Sequence, residues 1–170
     1  YKDGQDLPLK EYVSNDPESP YRLHKKIGEE YCLIFYKLFK LDSVCLRYFN
    51  VYGPRKTAGG GYPMVIPIFL DQQAKGQAMT IVGDGEQTRD YVHVSDVVRA
   101  NIMAMESDVQ DGRAYNIGSG NQQSVNAIAK IIGGETTNIT QRPGEMRFIE
   151  ADSSKAKEEL GWEAEKSFKE

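Results

Sequence analysis

A helical apolar period that runs directly into an apolar, strand-like stretch constrains this fold more than any other feature of the sequence. Between residue 20 and about residue 41, Ile27, Tyr31, Ile34, Phe35, Leu38 and Phe39 recur at helical spacing. That period predicts a helix with one buried face and with Lys26, Glu29, Glu30, Lys37 and Lys40 in water. Ser19 suits its cap, and Pro20 suits the first turn, where a missing N–H costs no hydrogen bond. After a short turn at Asp42-Ser43, residues 44–51 are largely apolar and predict a strand covered on both faces. Gly53-Pro54 ends it. A helix followed by a covered strand is half of a βαβ unit. Ligands of open α/β sheets sit beyond strand carboxyl ends, which puts Asn50 and Tyr52 where a site is expected.

The remaining chain continues the alternation. Residues 67–75 predict a helix ending near Gly76, and residues 79–82 and 89–94 predict strands joined as a hairpin through Gly83-Asp84-Gly85. Ser95 or Asp96 then caps a helix carrying Val97, Val98, Ile102 and Met105. Residues 114–117 read as a strand broken by Gly118-Ser119-Gly120, after which Ser124 caps a helix over 125–132. Arg142-Pro143-Gly144-Glu145 reads as a loop, and Asp152 or Ser153 begins a last helix ended by Gly161. Alternating helices and strands make the fold class α/β.

Charge and composition exclude several functions. A net charge of −4 and a pI near 5.3 give no basic field for nucleic acid or an anionic membrane, so a phosphate site must rest on a few placed arginines. No apolar run approaches the roughly 18 residues that a membrane span needs. His24 and His93, with no clustered ligands around them, imply no metal site. Cys32 lies in the helical pattern and Cys45 in the strand pattern. Both read as small core residues of a protein kept in a reducing, cytoplasmic compartment.

The chemistry sits at the start of the first helix. Tyr21 and Lys25 lie one turn apart, so the ammonium can stand beside the phenol and favour its charged form by Coulomb attraction, giving a proton acceptor. The sequence holds three Tyr-x-x-x-Lys pairs. Tyr36/Lys40 lies later on the same helix, where an aromatic beside a solvated amine is ordinary packing, and Tyr52/Lys56 is interrupted by Gly53-Pro54, which forbids a helix. Only Tyr21/Lys25 follows Ser-Pro at a helix start.

Six motifs in fixed order resemble the extended short-chain dehydrogenase/reductase family, specifically its NAD-dependent nucleotide-sugar epimerases and dehydratases. They are Ser-Pro-Tyr21-x-x-x-Lys25-Lys-x-Gly-Glu, Leu46-Arg-Tyr-Phe-Asn50-Val-Tyr-Gly-Pro-Arg55, Val82-Gly-Asp-Gly-x-x-x-Arg89-Asp-Tyr-Val-His93-Val-x-Asp96, Tyr115-Asn-Ile-Gly-Ser-Gly, Arg142-Pro-Gly-Glu145 and Asp152-x-x-Lys155-x-x-x-x-Leu160-Gly-Trp162. The resemblance implies the C-terminal part of an NAD-binding Rossmann-like fold plus a small nucleotide-sugar-binding α/β subdomain. Residues 1–57 would belong to the former and 58–170 mainly to the latter, with about 90–120 returning to the Rossmann-like domain. The family's Gly-x-x-Gly-x-x-Gly fingerprint and the Ser/Thr preceding its catalytic Tyr are absent, so the chain reads as a C-terminal fragment.

The resemblance also implies roles. Tyr21 would be the acid/base, while Lys25 would hold the nicotinamide ribose hydroxyls of NAD, with Tyr48 and Phe49 walling the nicotinamide side. Asn50 would bond the substrate diphosphate, Arg89 and Arg142 would pair with phosphates and nucleotide, and Glu145 would meet a ribose hydroxyl where Asp is common. His93, Asp90 and Asp96 read instead as hydrogen-bonding or capping groups. The implied reaction is most similar to UDP-glucose/UDP-galactose 4-epimerisation through transient oxidation at C4. The alternatives are a nucleotide-sugar 4,6-dehydratase, and a fragment that binds a nucleotide sugar without chemistry. The family also implies a homodimer through the catalytic helix.

Overall fold

In the computed structural model, which describes residues 4–13, 17, 19–59, 64–140 and 146–168, helices and strands alternate along the chain. Their order is α1 (Pro20–Phe39), β1 (Ser43–Tyr48), β2 (Asn50–Tyr52), α2 (Val65–Ala74), β3 (Met79–Val82), β4 (Thr88–His93), α3 (Val94–Glu106), β5 (Asp111–Ile117), β6 (Gln122–Ser124), α4 (Val125–Ile132), β7 (Thr136–Ile139) and α5 (Ser154–Leu160). β1 pairs in parallel with β5, β2 with β4 and β3 with β7, while β6 runs antiparallel to β4. The class is α/β with parallel pairing, as the alternation predicts.

Local chemistry sets most boundaries. Ser19 Oγ accepts from the Arg22 amide at 3.3 Å and Pro20 takes the first helical position. Ser124 Oγ caps α4 through the Ala127 amide at 3.1 Å, and Gly161 closes α5 in the left-handed conformation. α2 starts at Val65, before the Pro67 expected to open it, because a proline within the first turn forfeits no helical hydrogen bond.

Four expectations fail, three for non-local reasons and one, the cap of α3, for a local one. The single strand over 44–51 is two strands: Phe49 interrupts it, its N–H donating to Ile117 O at 3.1 Å, and the chain passes from β5 to β4. The hairpin over 79–94 does not form. Met79 N–H donates to Glu135 O and Gly83 N–H to Ile139 O, both at 2.8 Å, so the β3 ladder belongs to β7, and Thr88 N–H donates to Arg147 O at 2.9 Å. The cap of α3 is His93 instead of Ser95 or Asp96. On that helix Val97, Ala100 and Ala104 are buried, whereas Val98, Ile102 and Met105 are exposed.

The fourth concerns the face of α1. The apolar stripe is outside: Tyr31 is 59%, Leu38 69% and Phe39 68% exposed, with Ile27, Ile34 and Phe35 near 40% or above. The half-buried side carries Arg22, Lys26, Glu29, Cys32, Leu33 and Tyr36. Arg47 of β1 meets the half-buried Glu29 there, and Gly112 of β5 lies against the Leu33 backbone. The Cys45 thiol hydrogen-bonds with Cys32 and is pushed up to about 12, mainly by burial, which keeps it neutral.

Two clusters of buried side chains flank the β2–β4 pair. Val51 and Val92 join Val97, Ala100, Tyr115, Ile117 and Trp162, whereas Tyr52 and Tyr91 join Phe69, Met79, Ile81 and Ile128. Alternation along a strand sends successive side chains to opposite faces, so this short parallel pair is a wall with one core on each side. The last described residues cross between them: Trp162 is buried in the first core, and Phe168 lies 5.1 Å from Tyr52 and 5.2 Å from Tyr91, centroid to centroid.

Gly112 has φ +81, and a Cβ there meets Leu33 Cα at 2.8 Å, whereas Gly76 has φ +67 and open space around it. Gly112→Ala is expected to destabilise the protein by about 2–4 kcal/mol through strain and clash, against about 1 kcal/mol for Gly76→Ala. Urea unfolding of both variants checks this, and equal losses would contradict the close seating of α1 on β5.

Candidate active site

Tyr21 and Lys25 occupy the first and second turns of α1. Tyr21 is 61% exposed, and Lys25 Nζ stands 5.6 Å from the centroid of its ring. Tyr36 and Lys40 show nearly the same approach, at 5.4 Å. Spacing therefore produces the contact twice, and position separates the pairs: Tyr21 opens the helix beside the capped end, whereas Lys40 already lies beyond its last residue.

Tyr48 and Phe49 stand at the carboxyl end of β1, at the point where the chain changes sheet partner. A crevice beyond strand carboxyl ends where the topology switches is the usual ligand position in α/β folds. The Tyr48 hydroxyl donates to Asn101 Oδ1 of α3 at 2.8 Å, which fixes the ring, and Phe49 is half-buried. Asn50 pairs in register with Tyr91, and Tyr52 with His93. Paired residues of parallel strands share a face, so Asn50 and Tyr52 lie on the side of β2–β4 that carries Tyr91, His93 and, two residues earlier, Arg89. Ring contacts of Tyr52 with Tyr91 at 6.4 Å and with His93 at 5.2 Å accord with that alignment.

Arg89 is half-buried, and its Nη1 donates to the carbonyls of Thr88 at 2.8 Å and Arg147 at 3.4 Å. The guanidinium is thereby fixed beside residues 146–147, which follow directly on the segment holding Arg142 and Glu145. Arg142 and Glu145 themselves lie outside the described residues. The structure thus brings Asn50 and Arg89 to one sheet face and holds Tyr21 with Lys25 on α1, which packs on β1 and β5.

The other polar candidates are structural, as expected. Asp90 is fully buried and accepts from Ser119 N at 2.7 Å, Ser119 Oγ at 2.8 Å, Gly120 N at 2.9 Å and Ala151 N at 3.0 Å. Burial nevertheless pushes its carboxyl above the usual range, with those four bonds opposing the shift. His93 Nδ1 accepts from Ser95 N at 3.2 Å and pairs with Ser95 Oγ at 2.7 Å, which is the cap of α3. Asp96, also buried, accepts from Glu165 N at 3.2 Å and Lys166 N at 3.0 Å and pairs with Arg99 at 3.1 Å.

Arg47 is the residue that motif reading passed over. Its Nε and Nη2 donate to the two oxygens of Glu29 at 2.8 and 2.7 Å, and its Nη1 donates to Glu11 O at 3.0 Å. One guanidinium therefore holds both α1 and the segment preceding it. The available signal was a lone charge inside an apolar run, which must be paired if that run is covered. Among the described residues, no group of three or more His, Cys, Asp or Glu is placed to hold a metal ion, and no helix is long and apolar enough to cross a membrane.

Comparison with known proteins follows the same outline. Residues 1–118 match the NAD dependent epimerase/dehydratase family. The putative UDP-glucose 4-epimerase of Methanocaldococcus jannaschii is 41% identical over all of this chain, which covers 56% of that protein. Among solved structures, the UDP-glucose 4-epimerase of Thermotoga maritima with UDP-glucose is 41% identical with a TM-score of 0.83, over 91% of this chain and 51% of that one. The UDP-glucuronic acid 4-epimerase of Bacillus cereus, in complex with UDP-glucuronic acid and NAD, is 33% identical with a TM-score of 0.84, over 96% and 53%. The chain spans about half the length of the curated relatives it matches.

Proposed function

The chain belongs to the NAD-dependent epimerase/dehydratase family, and on that footing we propose that it forms the acid/base helix and most of the sugar-nucleotide site of a UDP-hexose 4-epimerase. The observation that carries this reading is the accessible Tyr21–Lys25 pair at the capped start of α1, packed on the strand that delivers Tyr48, Phe49 and Asn50. A phenol and an ammonium open to solvent form a donor set suited to the ribose hydroxyls of NAD. NAD, when bound, supplies reversible hydride acceptance at the sugar carbon. Tyr21 would take the C4 hydroxyl proton and return it, Lys25 would hold the ribose and favour the charged phenol, and Tyr48 and Phe49 would wall the nicotinamide. Asn50 would bond the diphosphate. Arg89 and Arg142 would pair with the phosphates and nucleotide, guanidinium forks being matched to phosphate oxygens, and Glu145 would meet a ribose hydroxyl.

The same reading divides the chain at about residue 57, with 90–120 returning to the cofactor-binding domain; the core that joins Val44, Leu46 and Val51 to Val92, Val97, Tyr115 and Ile117 supports that return, and it also takes in Ala156, Leu160 and Trp162. It also covers the exposed stripe of α1. A ladder of Tyr31, Phe35 and Phe39, with ring centroids 6.4 and 5.4 Å apart, suits a second copy of the same helix in a homodimer. The half-buried thiols Cys32 and Cys45, unpaired here, fit a cytoplasmic setting.

Tests use the intact protein with any sequence flanking these residues retained. Tyr21→Phe is expected to lower turnover by about 100-fold to 10,000-fold while NAD stays bound, and near-normal turnover overturns the assignment. Product analysis separates the alternatives, because a 4-epimer keeps every atom of the substrate whereas a dehydratase releases water. Arg89→Ala is expected to weaken UDP-sugar binding by about 10-fold to 100-fold in calorimetric titration, the worth of one charged hydrogen-bonding group. Phe35→Glu is expected to turn a dimer into a monomer in sedimentation, and an unchanged dimer would place the interface elsewhere.

A further inference from the structure

Tyr21, Lys25 and Glu29 stand at successive four-residue steps on α1, so Lys25 has a phenol one turn toward the N-terminus and a carboxylate one turn toward the C-terminus. A lysine and a glutamate four apart on a helix attract each other, and a carboxylate left half-buried and unpaired would draw the nearest ammonium. The structure shows the other outcome. Lys25 lies over the Tyr21 ring, while both oxygens of Glu29 are taken by the Arg47 fork at 2.8 and 2.7 Å. The fork is sheltered, with the Arg47 side chain 17% and the Glu29 side chain 24% exposed.

We propose that Arg47 is a positioning residue that holds Glu29 away from Lys25, so that the Lys25 ammonium remains with Tyr21. This rests on the reading of Tyr21 and Lys25 as the acid/base pair. A guanidinium is the group suited to the task, because its planar fork covers both carboxylate oxygens at once, whereas an ammonium covers one and leaves the other for Lys25. Its third contact, to Glu11 O at 3.0 Å, keeps the fork from rotating away. Among the neighbouring groups, the Cys45 thiol stays neutral with Cys32 as its hydrogen-bond partner, and the half-buried Lys26, three residues before Glu29, is a second cation on the same helix face. The charge pattern of the interface thus doubles as a partition of charges along the helix.

The experiment compares Arg47→Gln with Arg47→Gln/Glu29→Gln in the intact protein, with kcat expressed per NAD-loaded site so that loss of folded protein does not count. Arg47→Gln is expected to lower kcat by about 10-fold to 100-fold with KM for UDP-glucose within about twofold, the scale of a misplaced catalytic group. Removing Glu29 as well is expected to restore most of that loss. A crystal structure of Arg47→Gln supplies a readout independent of turnover: Lys25 Nζ should have moved to Glu29. If Arg47→Gln does not fold, Arg47→Lys keeps a charge in the interface and is expected to show a smaller loss, again relieved by Glu29→Gln. An undiminished kcat per site, a loss that Glu29→Gln leaves in place, or Lys25 still on Tyr21 overturns the proposal. A wild type that makes no 4-epimer while Lys25 swings to Glu29 in the variant overturns the epimerase reading and supports the partition.

Discussion

The Glu29–Arg47 fork joins the sheet-facing side of α1 to β1, and the positions of the candidate acid/base groups depend on which side of the helix faces the sheet. By hydrophobicity alone the helix should bury Tyr31, Phe35 and Phe39, and it does the reverse. The reversal is consistent with an interface in which the Glu29 carboxylate meets the Arg47 fork, with both oxygens satisfied, so that desolvating the pair is offset by its geometry. Gly112 completes the arrangement by admitting the Leu33 backbone closer than any side chain would allow. With that face inside, Tyr21 and Lys25 project at the edge of the helix into solvent, and the aromatic ladder stays exposed.

β2 and β4 form the second organising element. Only three residues of β2 pair, yet they separate two cores and carry Asn50 in register with Tyr91. Phe49 makes this possible by breaking the strand, since a continuous ladder with β5 would hold Asn50 against β5 instead of β4. Buried polar groups then lock the loops around the wall. Asp90 gathers the amides of Ser119, Gly120 and Ala151, and Asn116 holds the carbonyls of Leu9 at 2.7 Å and Asp152 at 3.2 Å. Removing one such partner would leave unsatisfied groups in the interior, so each is a fixed point from which the site residues are hung.

The family assignment and this geometry bear on different questions. Membership in the NAD-dependent epimerase/dehydratase family says which proteins this chain is related to. The structure adds how a chain spanning about half of its relatives arranges its own share: an accessible phenol and ammonium on one helix, an amide and a guanidinium on one sheet face, and a charge fork between helix and sheet.

Where the physics is local, the sequence determined the outcome by itself. Ser19 and Ser124 cap their helices, Gly161 ends the last one, Gly53-Pro54 stops a strand, and the Tyr21–Lys25 approach follows from helical spacing. These depend on groups within four residues of one another, so no tertiary contact can easily overrule them. The tertiary structure alone decided the face of α1, the exchange of partners at Phe49 and the pairing of β3 with β7. β6, a Gln-Gln-Ser segment, and β7, fully exposed, carry no apolar alternation and exist only because β4 and β3 offer them a ladder. Strand pairing and helix azimuth depend on residues far apart in the chain, such as Glu29 with Arg47 and Met79 with Glu135, and a hydrophobic period contains no information about which distant partner supplies the missing hydrogen bond or charge.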